Sequence, residues 1–132
     1  MFGVLDVSTS ALVAQRIRLD AIAGNVANAT TAGRLDGDPA PYHRRVALFA
    51  AGDGRGGAGV HVERVVEDAN PPRAVKEPGH PFADEHGIVY YPNVDLPTEM
   101  VDAMLAARAF EANVTAIEAT KSILASTLRI LA

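Results

Sequence analysis

One loop of this 132-residue sequence carries side chains of the types that bind metal ions. His80, Asp84 and His86 lie within seven positions of one another. A stable zinc or transition-metal site needs three or four converging ligands, usually with further paired His or Cys residues. The sequence has no Cys, and no second His pair follows. We therefore interpret residues 77–87 as a solvated loop and predict no metal.

Two other patterns could support catalysis. The glycine-rich run AGDGRGGAG (51–59) lacks the Lys-Ser/Thr that completes a phosphate-binding loop, so it is interpreted as a flexible hairpin connector. Four serines lie in helical segments without a nucleophile elbow or a partner base, and these are Ser8, Ser10, Ser122 and Ser126. No carboxylate pair lies in a context that would raise its pKa. The sequence predicts neither an enzyme nor a cofactor or small-molecule substrate.

Charge and hydrophobicity along the chain argue against further classes of protein. Sixteen acidic and twelve basic residues give a net charge of −4 and are interspersed, which argues against nucleic acid as a partner. No apolar run approaches the roughly 20 residues of a membrane-spanning helix. The first 15 residues contain no Lys or Arg, and Asp6 interrupts them, so they lack the pattern of a secretory signal.

The elements that must position any site follow the order helix, β-rich middle, helix. Residues 4–28 carry an apolar stripe at helical spacing, weakened by Ser8 and Gln15, and the stripe consists of Leu5, Leu12, Leu19, Ile22 and Val26. The middle predicts strands at 42–50, 60–67, 74–76 and 88–91. The alternation in 60–67 changes phase at Val65, as a β-bulge would cause.

The C-terminal segment gives the strongest helical pattern. Proline is favourable at the first position of a helix, so Pro97 places the helix start near residues 95–97, with Glu99 favourable at its positive end. No Gly or Pro interrupts 98–132. The main stripe comprises Met100, Met104, Ala107, Val114, Ile117, Leu124, Leu128 and Leu131, and Val101 and Leu105 form a second edge. These elements predict an α+β fold.

Two long helices in a short chain carry more apolar surface than a small β region covers. We therefore expect the helices to pair with each other as a coiled-coil-like layer and to pack against helices of other copies. Asn25 and Asn28 share one face at the end of the first helix, although Asn is unfavourable inside helices. Their amides are expected to bond helix-end carbonyls or the backbone of a neighbouring subunit, with a simple helix cap as the alternative.

The segment AGNVANATTAG (23–33) resembles the Asn-Asn motif that ends the N-terminal helix of flagellar rod and hook proteins. Residues 77–130, with YPNVD and EANV, resemble the C-terminal half of the short proximal-rod members of that family. The resemblance is weakest over 34–59, where only a PY.R pattern remains. The alternatives are another short rod-type axial protein and, from a different class, a cytoplasmic coiled-coil adaptor.

The resemblance implies a structural subunit of the periplasm-spanning flagellar rod, exported without a cleaved signal peptide. Its partners would be itself, other rod subunits and the flagellar type III export apparatus. Residues 1–33 and 93–132 would form one helical domain, with 34–92 as a β-rich part outside it. The predicted subunit-interface residues are Leu12, Leu19, Ile22, Asn25, Asn28, Met100, Met104, Val114, Ile117, Leu124, Leu128 and Leu131.

Overall fold

The computed structural model describes residues 2–131 and confirms the predicted α+β class. Two helices enclose four strands in chain order. They are α1 (Phe2–Ala27), β1 (Arg45–Ala51), β2 (Val60–Glu67), β3 (Arg73–Lys76), β4 (Ile88–Tyr91) and α2 (Leu96–Leu131). The strands form two separate antiparallel hairpins, β1–β2 and β3–β4. Neither helix is apolar over a stretch long enough to cross a membrane within the described residues.

The two helices pack against each other and run antiparallel. Asn25 near the end of α1 meets Glu99 near the start of α2, and Arg18 meets Asp102 one turn further along. The side of α2 turned to α1 recurs at steps of three and four residues, and its members are Glu99, Ala103, Ala106, Phe110, Asn113 and Ile117. Ala14 and Ala106 are fully buried there, and such small side chains let helices approach closely.

Over its first half, this seam is rotated from the stripe that the sequence predicted for α2, whereas Ile117 belongs to both. Met100 and Met104 are more than half exposed, because Glu99 and Ala103 occupy the neighbouring positions against α1. Val26 of the α1 stripe is also exposed, since Asn25 faces inward in that turn. A search for apolar residues passes over Glu99 and Asn113, and this is why it selects a different edge in the first half of the helix.

Helix α2 is longer than α1 by ten residues, 36 against 26. At 1.5 Å per residue the difference is roughly 15 Å. The seam continues along α2 through Leu124, Leu128 and Leu131, and the last two are strongly exposed. The final turns of α2 therefore present the same apolar edge without α1 to cover it.

The β1–β2 hairpin lies on α1. The amide of Val60 donates to the Ser10 hydroxyl (3.1 Å). Gly59 has φ +137°, and a Cβ at this position would lie 2.4 Å from the Ser10 oxygen, so the close contact requires glycine. Leu48 pairs with Arg64 and Phe49 with Val62, which leaves Glu63 as an extra residue and confirms the predicted bulge.

Strand β1 begins three residues later than predicted, at Arg45 instead of 42. The intervening segment bonds the end of α1, as described below. The second hairpin matches the predicted strands 74–76 and 88–91 closely, and it is tied to the segment after α1. Gly33 donates its amide to the carbonyl of Tyr90 (2.9 Å) and accepts from the Tyr90 amide (3.3 Å).

Helix α2 begins where Pro97 predicted. Asp95 caps it, because its Oδ2 accepts from the amide of Thr98 (3.1 Å) and from the Thr98 hydroxyl (2.5 Å). The hydrogen bond from the Thr98 hydroxyl is the main reason that the pKa of the Asp95 carboxyl lies below its ordinary value of 3.8, and the hydrogen bond from the Thr98 amide adds to this effect. The cap is therefore strongest when Asp95 is ionised.

Replacing Gly33 with Ala should destabilise the fold. The added Cβ would lie 2.5–2.8 Å from backbone atoms of residues 39–41, and backbone moves less readily than a side chain. We expect a loss of about 1–3 kcal/mol in the free energy of unfolding, measured by urea denaturation. Gly79→Ala is the matched control, since nothing lies within 4 Å of its added Cβ. Equal effects of the two changes would contradict the close approach at Gly33.

The Asp95 cap should weaken in acid. A folded-state pKa below the unfolded one contributes stability at neutral pH, and this contribution is lost as the pH falls below about 4. Asp95→Asn retains an acceptor for Thr98 but no longer titrates. We expect its stability to fall less than that of the native chain between pH 6 and 3, followed by urea denaturation. An unchanged acid dependence in Asp95→Asn would refute the prediction.

Candidate functional site

A buried polar cluster joins the end of α1, the segment before β1 and the start of α2. We call it the Asn25 junction, and its members are Asn25, Tyr42, Arg44, Arg45 and Glu99. Asn25 and Glu99 are both 0% exposed. Buried polar groups are costly unless each hydrogen-bonding position is filled. The junction is therefore stable only with its partners in place.

The amide of Asn25 fills all four of its hydrogen-bonding positions. Its Nδ2 donates to the carbonyl of Arg45 (2.9 Å) and to Oε2 of Glu99 (3.0 Å). Its Oδ1 accepts from the amide of Arg45 (2.8 Å) and from the Tyr42 hydroxyl (3.0 Å). Because this set needs two donors and two acceptors on one short side chain, only Asn satisfies it here.

Glu99 receives its second partner from Arg44. The Arg44 Nε lies 2.5 Å from Oε1 of Glu99, and the same guanidinium approaches Asp68 and Asp102 (both 3.7 Å). A buried carboxylate is tolerated when a charge and hydrogen bonds compensate it. The sequence suggested for Glu99 only a favourable position near the helix start. No periodicity or composition signal marks it as the residue that joins the two helices.

Tyr42 acts in the junction as a neutral donor. Burial raises the pKa of its phenol, and the nearby Arg45 guanidinium opposes that shift. The Arg45 guanidinium carbon lies 5.7 Å from the centre of the Tyr42 ring. Tyr42 therefore keeps the proton that it donates to Asn25.

Asn28 has a different role from Asn25. Its Nδ2 donates to the carbonyl of Gly24 (2.8 Å), and its Oδ1 accepts from the Thr31 hydroxyl (3.3 Å). This is the helix-end bonding that the sequence predicted as one alternative. The buried Asn25 amide has all its partners within the chain, and a contact of these asparagines with a neighbouring subunit stays a prediction.

The residues singled out for chemistry have local structural partners. Asp84 Oδ1 accepts from the amides of His86 (2.8 Å) and Ile88 (2.9 Å), and His80 Nδ1 accepts from the amide of Phe82 (3.1 Å). Within residues 2–131 no group of three or more His, Cys, Asp or Glu side chains could hold a metal ion. The 51–59 run joins β1 to β2, with Asp53 accepting amide hydrogen bonds inside it.

The predicted interface residues fall into three groups. Ile22 and Asn25 are buried inside the chain. Six are half-buried, and they are Leu12, Leu19, Asn28, Val114, Ile117 and Leu124. Four are exposed on α2 and free to contact another molecule, and they are Met100, Met104, Leu128 and Leu131.

Two family models match the two helical ends of the chain. The first, described as "Flagella basal body rod protein", matches residues 5–33. The second, described as "Flagellar basal body rod FlgEFG protein C-terminal", matches residues 85–130. The first range contains Asn25 and the second contains Glu99. The matches define the class as flagellar basal-body rod proteins.

Comparison with individual relatives identifies one family among the flagellar basal-body rod proteins. The chain is 40% identical to the flagellar basal-body rod protein FlgC of Yersinia enterocolitica over 97% of its own length and 96% of the relative. It is 39% identical to FlgC of Salmonella typhimurium over the same shares. It is also 39% identical to FlgC of Bacillus subtilis, over 98% of this chain and 97% of the relative. The chain belongs to the FlgC family.

The two asparagines should differ sharply when replaced. Asn25→Ala leaves an oxygen of Glu99 and both backbone groups of Arg45 without their partner, and each such buried group costs about 1–3 kcal/mol. We expect a loss of about 3 kcal/mol or more in urea denaturation. Asn28→Ala removes two peripheral hydrogen bonds and should cost about 1 kcal/mol. Similar losses for both variants would show that the buried junction is not the stronger contact.

Proposed function

We propose that this chain is a structural subunit of the proximal part of the flagellar rod, and that it assembles through the packing of α1 and α2 with helices of other rod subunits and of its own copies. The observation that carries the proposal is the outer surface of α2. Nine large hydrophobic side chains of this helix are exposed, from Leu96 to Leu131. Apolar surface concentrated on one element marks an interaction site.

Exposed apolar side chains lie near both ends of α2. Val101, Met104 and Leu105 lie near its start, and Ile123, Leu128 and Ile130 lie near its end. Across roughly 54 Å of helix, a contact limited to one end would leave the other half uncovered. A layer of parallel and antiparallel helices from several subunits covers the full length.

The contacts in such a layer are heterologous. One surface of a subunit meets a different surface of the next, so the assembly can extend as a helical filament. In this arrangement residues 1–33 and 93–132 act together as the helical domain, and residues 34–92 form the β-rich part beside it. The position of the β1–β2 hairpin on α1, away from the outer surface of α2, supports this division.

The proposed location is the periplasmic rod of the basal body, reached through the flagellar type III export apparatus without a cleaved signal peptide. Membership of the FlgC family supports the location in the rod. The proposal assigns no catalytic step, no small-molecule substrate and no nucleic acid to the chain. Its contribution is mechanical, because each helix contact that one copy makes is repeated in every other copy.

The direct test is quantitative mass spectrometry of purified hook–basal bodies from the source organism. The proposal expects this chain at a few copies per particle, beside other rod proteins and far below the hook protein. Its absence from the particles, together with retention in the cytosol while export works, would instead support a cytoplasmic adaptor.

The free end of α2 should matter for assembly and not for the stability of the single chain. Leu128 is 60% exposed, so Leu128→Gln should change the free energy of unfolding by less than about 0.5 kcal/mol. In the layer the same side chain is buried, where loss of a Leu costs about 2–5 kcal/mol in each copy. We expect a strong loss of rod assembly and of swimming in soft agar.

Leu35→Gln is the matched control for this variant. Leu35 is 54% exposed and lies in the 34–41 loop, outside both helices. It should leave stability and swimming unchanged. Normal swimming of the Leu128→Gln strain, or of a strain lacking residues 124–132, would refute the role of this end of α2.

A further inference from the structure

One face of α1 is exposed along most of the helix within the described residues 2–131. Six exposed residues recur along the helix at alternating steps of four and three, and they are Thr9, Val13, Arg16, Asp20, Ala23 and Ala27. Alternate steps of three and four keep side chains on one face of a helix. Neither α2 nor the β1–β2 hairpin covers this face, which we call the α1 outer stripe.

Helix α2 carries a stripe of the same kind. Its exposed members also alternate at steps of three and four, and they are Val101, Met104, Arg108, Glu111, Thr115 and Glu118. Arg108 and Glu111 lie near the centre, where they form an ion pair with each other (2.9 Å), and Val101 and Met104 lie at the end nearest the helix start. We call this face the α2 outer stripe.

The direction of any contact between these stripes is constrained by the rod. The helices α1 and α2 run antiparallel within one chain, through the contacts of Asn25 and Arg18 with α2. If all copies point the same way in the filament, then α1 of one copy meets α2 of another in antiparallel orientation. An antiparallel contact fixes which residues lie opposite each other once one pair is chosen.

One register pairs both central charges with opposites. When Asp20 faces Arg108, the alternating steps place Arg16 opposite Glu111. A shift by seven residues in one direction leaves only Arg16 facing an acidic residue, Glu118, and a shift in the other direction leaves no opposite pair. Charges at such positions select the register more than they add affinity.

The same register also matches side-chain size. Ala23 faces Met104 and Ala27 faces Val101, so a small residue of α1 lies opposite a larger one of α2 at both apolar positions. Val13 then faces Thr115, two β-branched residues. Two helices can interdigitate when a large side chain of one helix faces a small side chain of the other.

We propose that the α1 outer stripe of one copy docks antiparallel on the α2 outer stripe of a second copy of this chain, with Asp20 paired to Arg108 and Arg16 paired to Glu111. This inference rests on the proposed assembly in the rod and specifies the partner, the faces and the register of one contact. Met104, which is more than half exposed near the start of α2, is covered in this contact.

Disulfide cross-linking in cells tests the contact directly, because the chain contains no native Cys. The variant Ala23→Cys/Met104→Cys places thiols at facing positions of two copies. After mild oxidation, basal bodies should contain a species of twice the chain's mass that disappears on reduction. The control Ala23→Cys/Ile123→Cys moves the second thiol to another exposed position, on a different face of α2, and should give no such species.

The outcomes separate this inference from the proposed function. If the Ala23→Cys/Met104→Cys strain swims and its rods contain the chain, but no doubled species forms, the contact is overturned while the rod function stands. A doubled species from Met104→Cys alone, or a disulfide to a different rod protein, also overturns it. If the native chain is absent from basal bodies, the proposed function itself fails.

Charge exchange provides a second test that does not depend on cysteine chemistry. Asp20→Arg should reduce swimming strongly, because two arginines then face each other across the contact. Adding Arg108→Asp should restore part of the lost swimming, since it rebuilds the pair with reversed charges but removes the ion pair of Arg108 with Glu111 in α2. The control Glu85→Lys reverses the charge of an exposed residue in the 77–87 loop, and its strain should swim normally. Lack of rescue by the double exchange, with the chain stably folded, contradicts the register.

Discussion

The buried carboxylate of Glu99 is the constraint on which the rest of the structure depends. Taking an ionised group out of water costs several kcal/mol unless charge and hydrogen bonds replace the lost hydration. Here the replacement comes from two distant parts of the chain, Asn25 at the end of α1 and Arg44 before β1. Helix pairing and the entry into the β region are therefore fixed at one point and depend on each other.

The seam between the helices adds less specificity than this junction. It relies on small side chains such as Ala14 and Ala106, which bury little area each, and it includes polar residues such as Gln15 and Asn113. Phe110 and Ile117 also lie in the seam, but nine other large apolar side chains of α2 are exposed. A chain that placed them inside would be a more stable monomer with less surface to offer other subunits.

Sequence patterns predicted the elements well because each pattern reports a local preference. The start of α2 followed from Pro97, and the bulge in β2 followed from a phase change in alternation. The junction could not be predicted in this way. The role of Glu99 depends on partners 55 and 74 positions away, and a charged residue in the first helical turn already has an adequate local explanation.

The same limit explains the rotated seam and the late start of β1. Hydrophobicity predicts the buried face of a helix from its apolar residues. This seam instead forms where small side chains let α1 and α2 approach closely and where the charge of Glu99 is compensated. Residues 42–44 have strand-forming character, yet Tyr42 and Arg44 are needed at Asn25 and Glu99. The two family matches cover 5–33 and 85–130, while these partners lie between them. The middle of the chain thus helps to hold the two helices together, because without it Glu99 keeps only one of its two partners.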